Sequence, residues 1–210
     1  MSTSEQQPYR STINRHVARR ASELSAGLRG NEGPEIAALA KLRRAASTEI
    51  GDDAAAWQVA FLGFPDTDND FPFPSFGEEG VYRALTLFAL HQQSKREPMH
   101  AEGPSLGAAI GRLARADGPD SHTGPIVRRF NALVTADSAE ESRWHLRSLI
   151  GQLRAHSIPL DYGRLADDLS VLAGKTRNGE SRDEALRRVH LRWSRDFSRP
   201  PKSNSKPTNN

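Results

Sequence analysis

The chain has no cysteine among its 210 residues. Disulfide bonds and thiolate metal sites are therefore excluded, and the composition fits a reducing compartment. No apolar run approaches the length of a membrane span, and the N-terminus carries no apolar signal segment. We therefore expect a cytoplasmic protein that makes no contact with a membrane.

Lysine is scarce as well, because 24 of the 29 basic residues are arginine. A guanidinium group grips phosphate as a planar fork and stacks on bases, whereas lysine is a hydrated point charge. The net charge of +3 is unevenly placed, at −3 for residues 1–104 and +6 for residues 105–210. This pattern favours an anionic partner, although a GC-rich genome also enriches arginine.

Motifs for catalysis and metal binding are missing from the sequence. No two of the seven histidines have the spacing that aims two imidazoles at one metal. The acids Asp66, Asp68 and Asp70 lack the glycine and distal glutamate of a calcium loop, and Asp167 and Asp168 are interpreted as solvated turn acids. There is no phosphate-cradling glycine loop and no nucleophile elbow. We expect no enzymatic activity, no metal, no cofactor and no small-molecule substrate.

Apolar residues recur at helical spacing along the chain, and no segment alternates as a strand does. The sequence predicts an all-α fold with two small helical bundles and about eight or nine helices. The first bundle is predicted to span 10–117 and the second 123–199, with a polar Gly-Pro stretch as the boundary. Residues 1–9 and 200–210 are predicted to be disordered tails, because their composition cannot bury a core.

The segment from Gly63 to Gly77 holds three prolines and four phenylalanines, so it is predicted to be neither regular helix nor central strand. Either its phenylalanines pin the segment to the core, or it is a functional loop. The helix predicted after it, from Glu78 to Gln93, is apolar on nearly all sides. This pattern indicates the buried centre of the first bundle.

The stretch from Gly124 to His156 predicts two adjacent amphipathic helices. In the first helix, an apolar face around Phe130 has Arg128 opposite it and Arg129 at its edge. The second helix starts at the capping-box pair Ser138 and Glu141. Beside its apolar face lie three arginines within about 40° of one another, which are Arg143, Arg147 and Arg154.

The last predicted helix starts at a second capping box, Ser181 and Glu184. Opposite its apolar face lie four arginines, Arg188, Arg192, Arg195 and Arg199. Arg192 and Asp196 have the spacing of an ion pair on one helix face, so part of this row is interpreted as ordinary helix electrostatics.

An ordered set of short motifs resembles the CasB family, the small subunits of the type I-E CRISPR surveillance complex Cascade. The motifs run through most of residues 10–199 and are Leu42-Arg43-Arg44-Ala45, Gly103-Pro104-Ser105-Leu106-Gly107, Arg128-Arg129-Phe130-Asn131-Ala132-Leu133, Leu146-Arg147-Ser148-Leu149 and Trp193-Ser194-Arg195-Asp196-Phe197. The resemblance implies an all-helical, non-catalytic protein with two bundles. It also implies other Cascade subunits and a second copy of the chain as partners.

In that family the small subunits hold the hybrid of crRNA and target DNA, together with the displaced single strand, through basic surfaces. The resemblance assigns nucleic-acid contact to five matching positions, Arg43, Arg44, Arg128, Arg129 and Arg147. Helix geometry adds Arg112, Arg143 and Arg154 as candidates. Because these side chains lie at or beyond the edges of apolar faces, the row of Arg128, Arg129, Arg143 and Arg147 is expected to matter for function and little for stability.

Two other functions stay open at the level of the sequence. The arginine rows of an all-helical protein-protein interaction module would bind acidic partners without nucleic acid. An enzyme whose distant residues converge only in the fold is the third possibility. Binding of single-stranded DNA at low and moderate salt separates the first of these from the nucleic-acid function.

Overall fold

The computed structural model describes residues 10–65, 73–116, 124–136 and 138–200. Within these ranges the chain forms nine α-helices and no strand, so the all-α prediction is confirmed. The helices are α1 (Thr12–Arg29), α2 (Gly33–Ala45), α3 (Ala54–Ala60), α4 (Phe76–His91), α5 (Leu106–Ala116), α6 (Pro125–Val134), α7 (Ala139–Ala155), α8 (Tyr162–Ala173) and α9 (Arg182–Ser198). None of these described helices is both long and apolar enough to cross a lipid bilayer.

Side-chain caps fix where several helices begin. The oxygens of Asp53, Asp161 and Ser181 accept hydrogen bonds from backbone N–H groups in the first turns of α3, α8 and α9. The capping box of Ser181 and Glu184 is present. At α7 Ser138 accepts from the backbone N–H of Glu141. Each cap satisfies an N–H group that the helix itself leaves unpaired.

The predicted core helix α4 is the centre of the molecule. It contacts α1, α2, α3, α7 and α8, and most of its residues are buried on every side. Tyr82 and Phe88 of α4 are almost fully buried, and the ring of Phe88 meets the ring of Tyr162 of α8 at 5.3 Å. A helix that is apolar all round can only be stable in such an enclosed position.

Helices of the two predicted bundles share one apolar cluster. Helix α8 packs against α4 and α1, and α9 packs against α5. These contacts join residues of 10–117 to residues of 123–199 in one apolar cluster. The predicted boundary at 118–123 and both predicted tails, apart from Pro200, lie outside the described residues. The division into two bundles therefore stays a prediction, and the structure adds that apolar packing connects the two parts.

Glycines let α9 lie directly on α5. A Cβ atom on Gly107 would overlap the carbonyl oxygen of Trp193, and a Cβ on Gly111 would overlap the carbonyl oxygen of Phe197. The two glycines are four residues apart, so they form one open strip along α5. Because α9 lies so close to α5, the side chain of Trp193 is fully buried in the core.

The described part of the Phe- and Pro-rich segment is mixed in character. Phe64 packs edge-on against His16 of α1 at 4.8 Å, whereas Phe73 is 77% exposed. The prediction that the segment is not helical is wrong at its end, because Phe76 and Gly77 already belong to α4. Ser75 caps that helix and forms a capping box with Glu78, which gives the helix an earlier start than apolar periodicity indicated.

Candidate nucleic-acid interface

The C-terminal end of α2 gathers four of the predicted arginines. Arg43 and Arg44 lie in the last turn of α2, where Arg43 is half-buried and Arg44 is exposed. Two arginines of α7 reach the residues that follow. Arg147 donates from Nη1 to the carbonyl oxygen of Ala46 at 2.8 Å, and Arg143 donates from Nη2 to Oε1 of Glu49 at 3.1 Å.

The local sequence explains why α7 can make these contacts. Arg143 and Arg147 lie one turn apart beside the buried face of α7, so both point along the same edge of that helix. Ala46 is the C-cap of α2, and the last carbonyl groups of a helix need donors from outside it. We call Arg43, Arg44, Arg143 and Arg147 the α2-end cluster.

One carboxylate lies beside the α2-end cluster and is shared between two arginines. Glu49 contacts Arg143 at 3.1 Å and Arg83 of α4 at 3.5 Å, while Arg83 also pairs with Glu79 at 2.8 Å. The side chain of Glu49 is 64% exposed, and exposed ion pairs contribute about 0–1 kcal/mol. The cluster therefore keeps most of its positive charge.

Arg154 lies at the other end of α7, away from the α2-end cluster. Its Nη1 donates to Oε1 of Gln93 at 2.6 Å, just beyond the end of α4. It also lies near His91, whose pKa burial lowers to about 4, with smaller contributions in the same direction from Arg154 and Lys95. The structure thus gives Arg154 a packing role at the α4 terminus.

The remaining predicted arginines lie on α5 and α6. Arg112 and Arg128 are exposed and Arg129 is half-buried. These two helices pack against each other and against α7. The structure therefore divides the eight predicted residues into the α2-end cluster, a second basic region on α5 and α6, and Arg154.

The arginine row of α9 is engaged with carboxylates. Arg188 contacts Glu180 through two hydrogen bonds, at 2.8 and 3.0 Å, and Arg192 pairs with Asp168 of α8. The predicted pair of Arg192 and Asp196 is wrong, because α8 places a buried carboxylate closer to Arg192. Asp196 instead accepts from the Ser105 hydroxyl at 2.6 Å.

Asp168 corrects a second prediction, because it is buried and is not a solvated turn acid. It is 3% exposed and accepts a hydrogen bond from Nε1 of Trp193 at 2.6 Å. Burial raises the pKa of this carboxyl group to about 6, although Arg192 and Trp193 favour its charged form. Asp168 therefore joins α8 to α9 from inside the molecule.

Several other arginines serve as donors to backbone carbonyl groups, a role that the sequence did not indicate. Arg20 donates to Val59 at 3.3 Å, Arg115 to Phe197 at 3.1 Å and Arg164 to Gly103. Each contact joins residues at least 39 positions apart. Part of the arginine excess thus stabilises helix ends and loops.

The titratable side chains of the described ranges do not form a metal centre. No three histidine, aspartate or glutamate side chains in 10–65, 73–116, 124–136 and 138–200 converge as ligands. The acids Asp66, Asp68 and Asp70 of the sequence lie outside these ranges.

Comparisons with known proteins agree with the fold. A family model for the CRISPR-associated protein Cse2 matches residues 38–197. CasB from Thermobifida fusca superposes with a TM-score of 0.69 at 29% identity, over 90% of this chain and 99% of that chain. A Cse2-family protein from Thermus thermophilus shares the fold, with a TM-score of 0.62 at 21% identity over 88% of this chain and 96% of that one.

Among curated proteins none matches the chain. The family match nevertheless covers well over half of the sequence and includes α3 to α8, most of α2 and nearly all of α9. The resemblance found in the sequence motifs is thereby confirmed, and the chain belongs to the Cse2 family of CRISPR-associated proteins.

Proposed function

We propose that the protein is a non-catalytic, nucleic-acid-binding subunit of a CRISPR RNA-guided surveillance complex of the Cascade type. It stabilises the hybrid of crRNA and target DNA, and the displaced strand, through arginine-rich helix faces. Membership of the Cse2 family supports the role in CRISPR defence. The observation that carries the nucleic-acid part is that Arg143 and Arg147 of α7 contact Glu49 and Ala46 just beyond α2, whose last turn carries Arg43 and Arg44.

The α2-end cluster suits a ligand that presents phosphates without a fixed helical shape. Forked guanidinium groups bind phosphate oxygens whatever the base sequence, so the cluster needs no contact with base edges. In guide-directed recognition, base pairing reads the sequence, and the exchange of one duplex for another is nearly balanced. A few contacts to the backbone can therefore shift this balance toward the open state.

The contributions of the eight candidate arginines differ with their contacts. Arg43 and Arg44 have no side-chain hydrogen bond or ion pair among the described residues, so they are the first candidates for phosphate contact. Arg143 and Arg147 add positive charge to the binding surface while their side chains contact Glu49 and Ala46, just beyond α2. Arg112, Arg128 and Arg129 form a second contact surface. Arg154 contributes least to binding, because its guanidinium group already donates a hydrogen bond to Gln93.

The same proposal includes the partners of the complex. Other Cascade subunits and a second copy of the chain bind surfaces outside the α2-end cluster, and the complex works in the cytoplasm. The protein alone binds single- and double-stranded nucleic acid weakly, because few phosphate contacts are available on one small subunit.

The proposal is tested by measuring single-stranded DNA binding as a function of salt concentration. We expect Arg43→Ala with Arg44→Ala to weaken binding equally for all sequences. The slope of log affinity against log salt should fall by about 0.7 for each phosphate that the variant no longer neutralises. The matched control is Arg187→Ala with Arg195→Ala, which removes the same charge from two exposed arginines of α9.

A strong preference for one base sequence, or affinity that does not change with salt, would contradict the proposal. If the purified protein binds no nucleic acid but the Arg43 and Arg44 changes prevent assembly with acidic partner subunits, the protein-protein module is the correct function. In a reconstituted complex, the double change at the α2 end should shorten the lifetime of opened target DNA and leave guide assembly intact.

A further inference from the structure

A cleft lies directly beside the α2-end cluster. It has a volume of about 150 Å³ and is lined by residues of α4, α7, α8 and α9, together with Ala46. We call it the α7 cleft, because the first half of α7 forms one wall. Arg143 and Arg147 belong to both the cluster and the cleft wall. A strand whose phosphates lie on the cluster therefore passes the mouth of the cleft.

The floor of the α7 cleft is apolar and rigid. Leu87, Leu146 and Leu169 line it, and all three are at most 6% exposed. A buried apolar cavity of about 150 Å³ in another protein accommodates benzene, so this volume suits one planar ring. The cleft is too small for a folded segment of a partner chain.

The rim of the cleft is strongly basic. Arg83, Arg143, Arg147 and Arg182 line it together with the carboxylate of Glu79. Glu49 also pairs with Arg83 and Arg143, so four positive charges face two negative ones. Arg182 is the first residue of α9, is exposed, and has no hydrogen bond or ion pair from its side chain among the described residues. A ligand that places a ring on the floor and an anion at the rim satisfies both features.

Two polar side chains in the cleft have no hydrogen-bond partner in the part of the chain that the structure describes. They are the half-buried imidazole of His190 and the hydroxyl group of Ser142. Burial lowers the pKa of His190, so at neutral pH its ring carries one donor and one acceptor. An aliphatic side chain would leave both groups unsatisfied at a cost, whereas the edge of a base can pair with them.

We infer that the α7 cleft binds one unpaired nucleobase of a single strand, with the phosphates on either side of it held by Arg147 and Arg182. The inference rests on the proposed function and adds a base-binding site to it. Apolar and polar side chains that surround an extruded base are how proteins hold bases outside a stack. Such a site recognises a single strand, because the bases of a duplex are already stacked.

The test compares two DNA strands that have equal numbers of phosphates, one made of thymidine nucleotides and one carrying abasic residues. We expect the protein to bind the base-bearing strand about ten-fold more tightly. Ala139→Phe fills the cleft from the exposed first residue of α7 and should reduce the affinity for the base-bearing strand to that for the abasic strand. Affinity for the abasic strand should not change.

Two further variants complete the design. Ala37→Phe adds the same side chain to an exposed site of α2 that does not line the cleft, and should leave both affinities unchanged. His190→Leu removes the imidazole that would hydrogen-bond to the base, and it should lower the preference for the base-bearing strand several-fold. This second variant keeps the test decisive if Ala139→Phe fails to fold, as judged by its helical circular dichroism.

The outcomes separate the inference from the proposed function. If the protein binds both strands equally well, the base site is wrong and the phosphate-binding function stands. If it binds neither strand, the proposed function fails as well. The base site is also wrong if the Ala139→Phe variant keeps the preference for the base-bearing strand, or if its affinity for both strands falls equally. The same holds if this change leaves DNA binding intact and blocks assembly with a protein partner.

Discussion

Two groups of arginines on this protein differ in what they contact. In the row on α9, Arg188 and Arg192 each pair with a carboxylate, Glu180 and Asp168. In the α2-end cluster, Arg147 binds a backbone carbonyl group, and Arg43 and Arg44 have no side-chain partner among the described residues. Arg143 alone in this cluster pairs with a described carboxylate, the exposed Glu49. A carboxylate neutralises a guanidinium group, and a carbonyl oxygen orients it while leaving its charge in place.

The difference explains why the number of arginines in a row does not identify a binding surface. Arg143 and Arg147 on α7 have helical spacing in the sequence, as the four arginines of the α9 row do. Only the contacts in the folded chain show that one group serves packing and the other presents charge. Loss of a contact that joins two helices should therefore cost more stability than loss of an arginine that only presents charge.

Removal of the Asp168 side chain should cause the largest loss of stability. Asp168→Ala leaves Arg192 and the buried Nε1 of Trp193 without their acceptor, which costs about 3 kcal/mol. For a chain of this length the melting temperature should fall by about 6–12 °C. Thermal unfolding monitored by circular dichroism measures this change.

Asp167→Ala is the control for that change, because Asp167 is half-buried and, among the described residues, accepts hydrogen bonds only from Ser11 and Asn14 at the start of α1. Its effect should be clearly smaller. Equal melting temperatures for the Asp168→Ala variant and the unchanged protein would show that α9 is not held through this carboxylate.

Acidification should destabilise the core around α4 by up to about 3 kcal/mol. Burial lowers the pKa of His91 from 6.5 to about 4, so below pH 6.5 the unfolded chain binds a proton that the folded chain rejects. Stability is therefore lost as the pH falls from 6.5 toward 4. Burial lowers the pKa of His16, His100 and His190 as well, and they act in the same direction.

Asp168 opposes this trend, since its raised pKa makes the folded state gain stability as the pH falls from 6 toward 3.8. Urea unfolding at pH 7, 5.5 and 4.5 measures the balance. His91→Gln should flatten the loss of stability with acid, and Asp168→Asn should steepen it. A protein that becomes more stable between pH 6.5 and 4.5 would refute the role of the buried histidines.

Gly107→Ala should cost about 2 kcal/mol, because its new Cβ overlaps the carbonyl oxygen of Trp193 and pushes α9 away from α5. The control is Gly151→Ala on α7, where no atom lies within 4 Å of the new Cβ. That change should stabilise the protein by about 0.5–1 kcal/mol through helix propensity alone. If both substitutions change the free energy of unfolding in the same direction, α9 does not pack against Gly107 as closely as the structure indicates. Chemical denaturation gives both values.

The smallest effects distinguish the two halves of the α2-end cluster. Arg143→Ala with Arg147→Ala should cost about 1 kcal/mol, because it removes the contacts with Glu49 and Ala46. Arg43→Ala with Arg44→Ala should stay within about 0.5 kcal/mol. The sequence predicts little effect on stability for Arg143 and Arg147, so a negligible change in melting temperature for that pair would favour the sequence-based expectation over the structural one.

Much of the fold follows from local signals in the sequence. Asp53, Asp161 and Ser181 cap helices where an acceptor before an apolar period is expected to cap them. The central position of α4 was predicted because its sequence is apolar on nearly all sides of the helix. In contrast, the contact of Arg147 with Ala46 spans 101 residues, and no local pattern predicts which carbonyl group an arginine will reach.

The candidate site shows the same limit. Arg43, Arg44 and Arg147 were each predicted, but their proximity depends on how α7 lies against the end of α2. The interpretation of Asp168 as a solvated acid failed because only the packing of α8 against α9 makes it buried. The α7 cleft is formed by four helices together with Ala46, Ala136 and Ser138, so it could not be predicted from any single segment.

The hydrogen bond from Arg147 to Ala46 has a consequence for the thermodynamics of binding. A free arginine side chain loses rotational freedom when it grips a phosphate, which costs about 0.5–1.5 kcal/mol. Arg147 has already lost part of this freedom in the folded protein. Its contact with an anion should therefore carry a smaller entropy penalty than that of Arg44, which has the same charge but no fixed orientation.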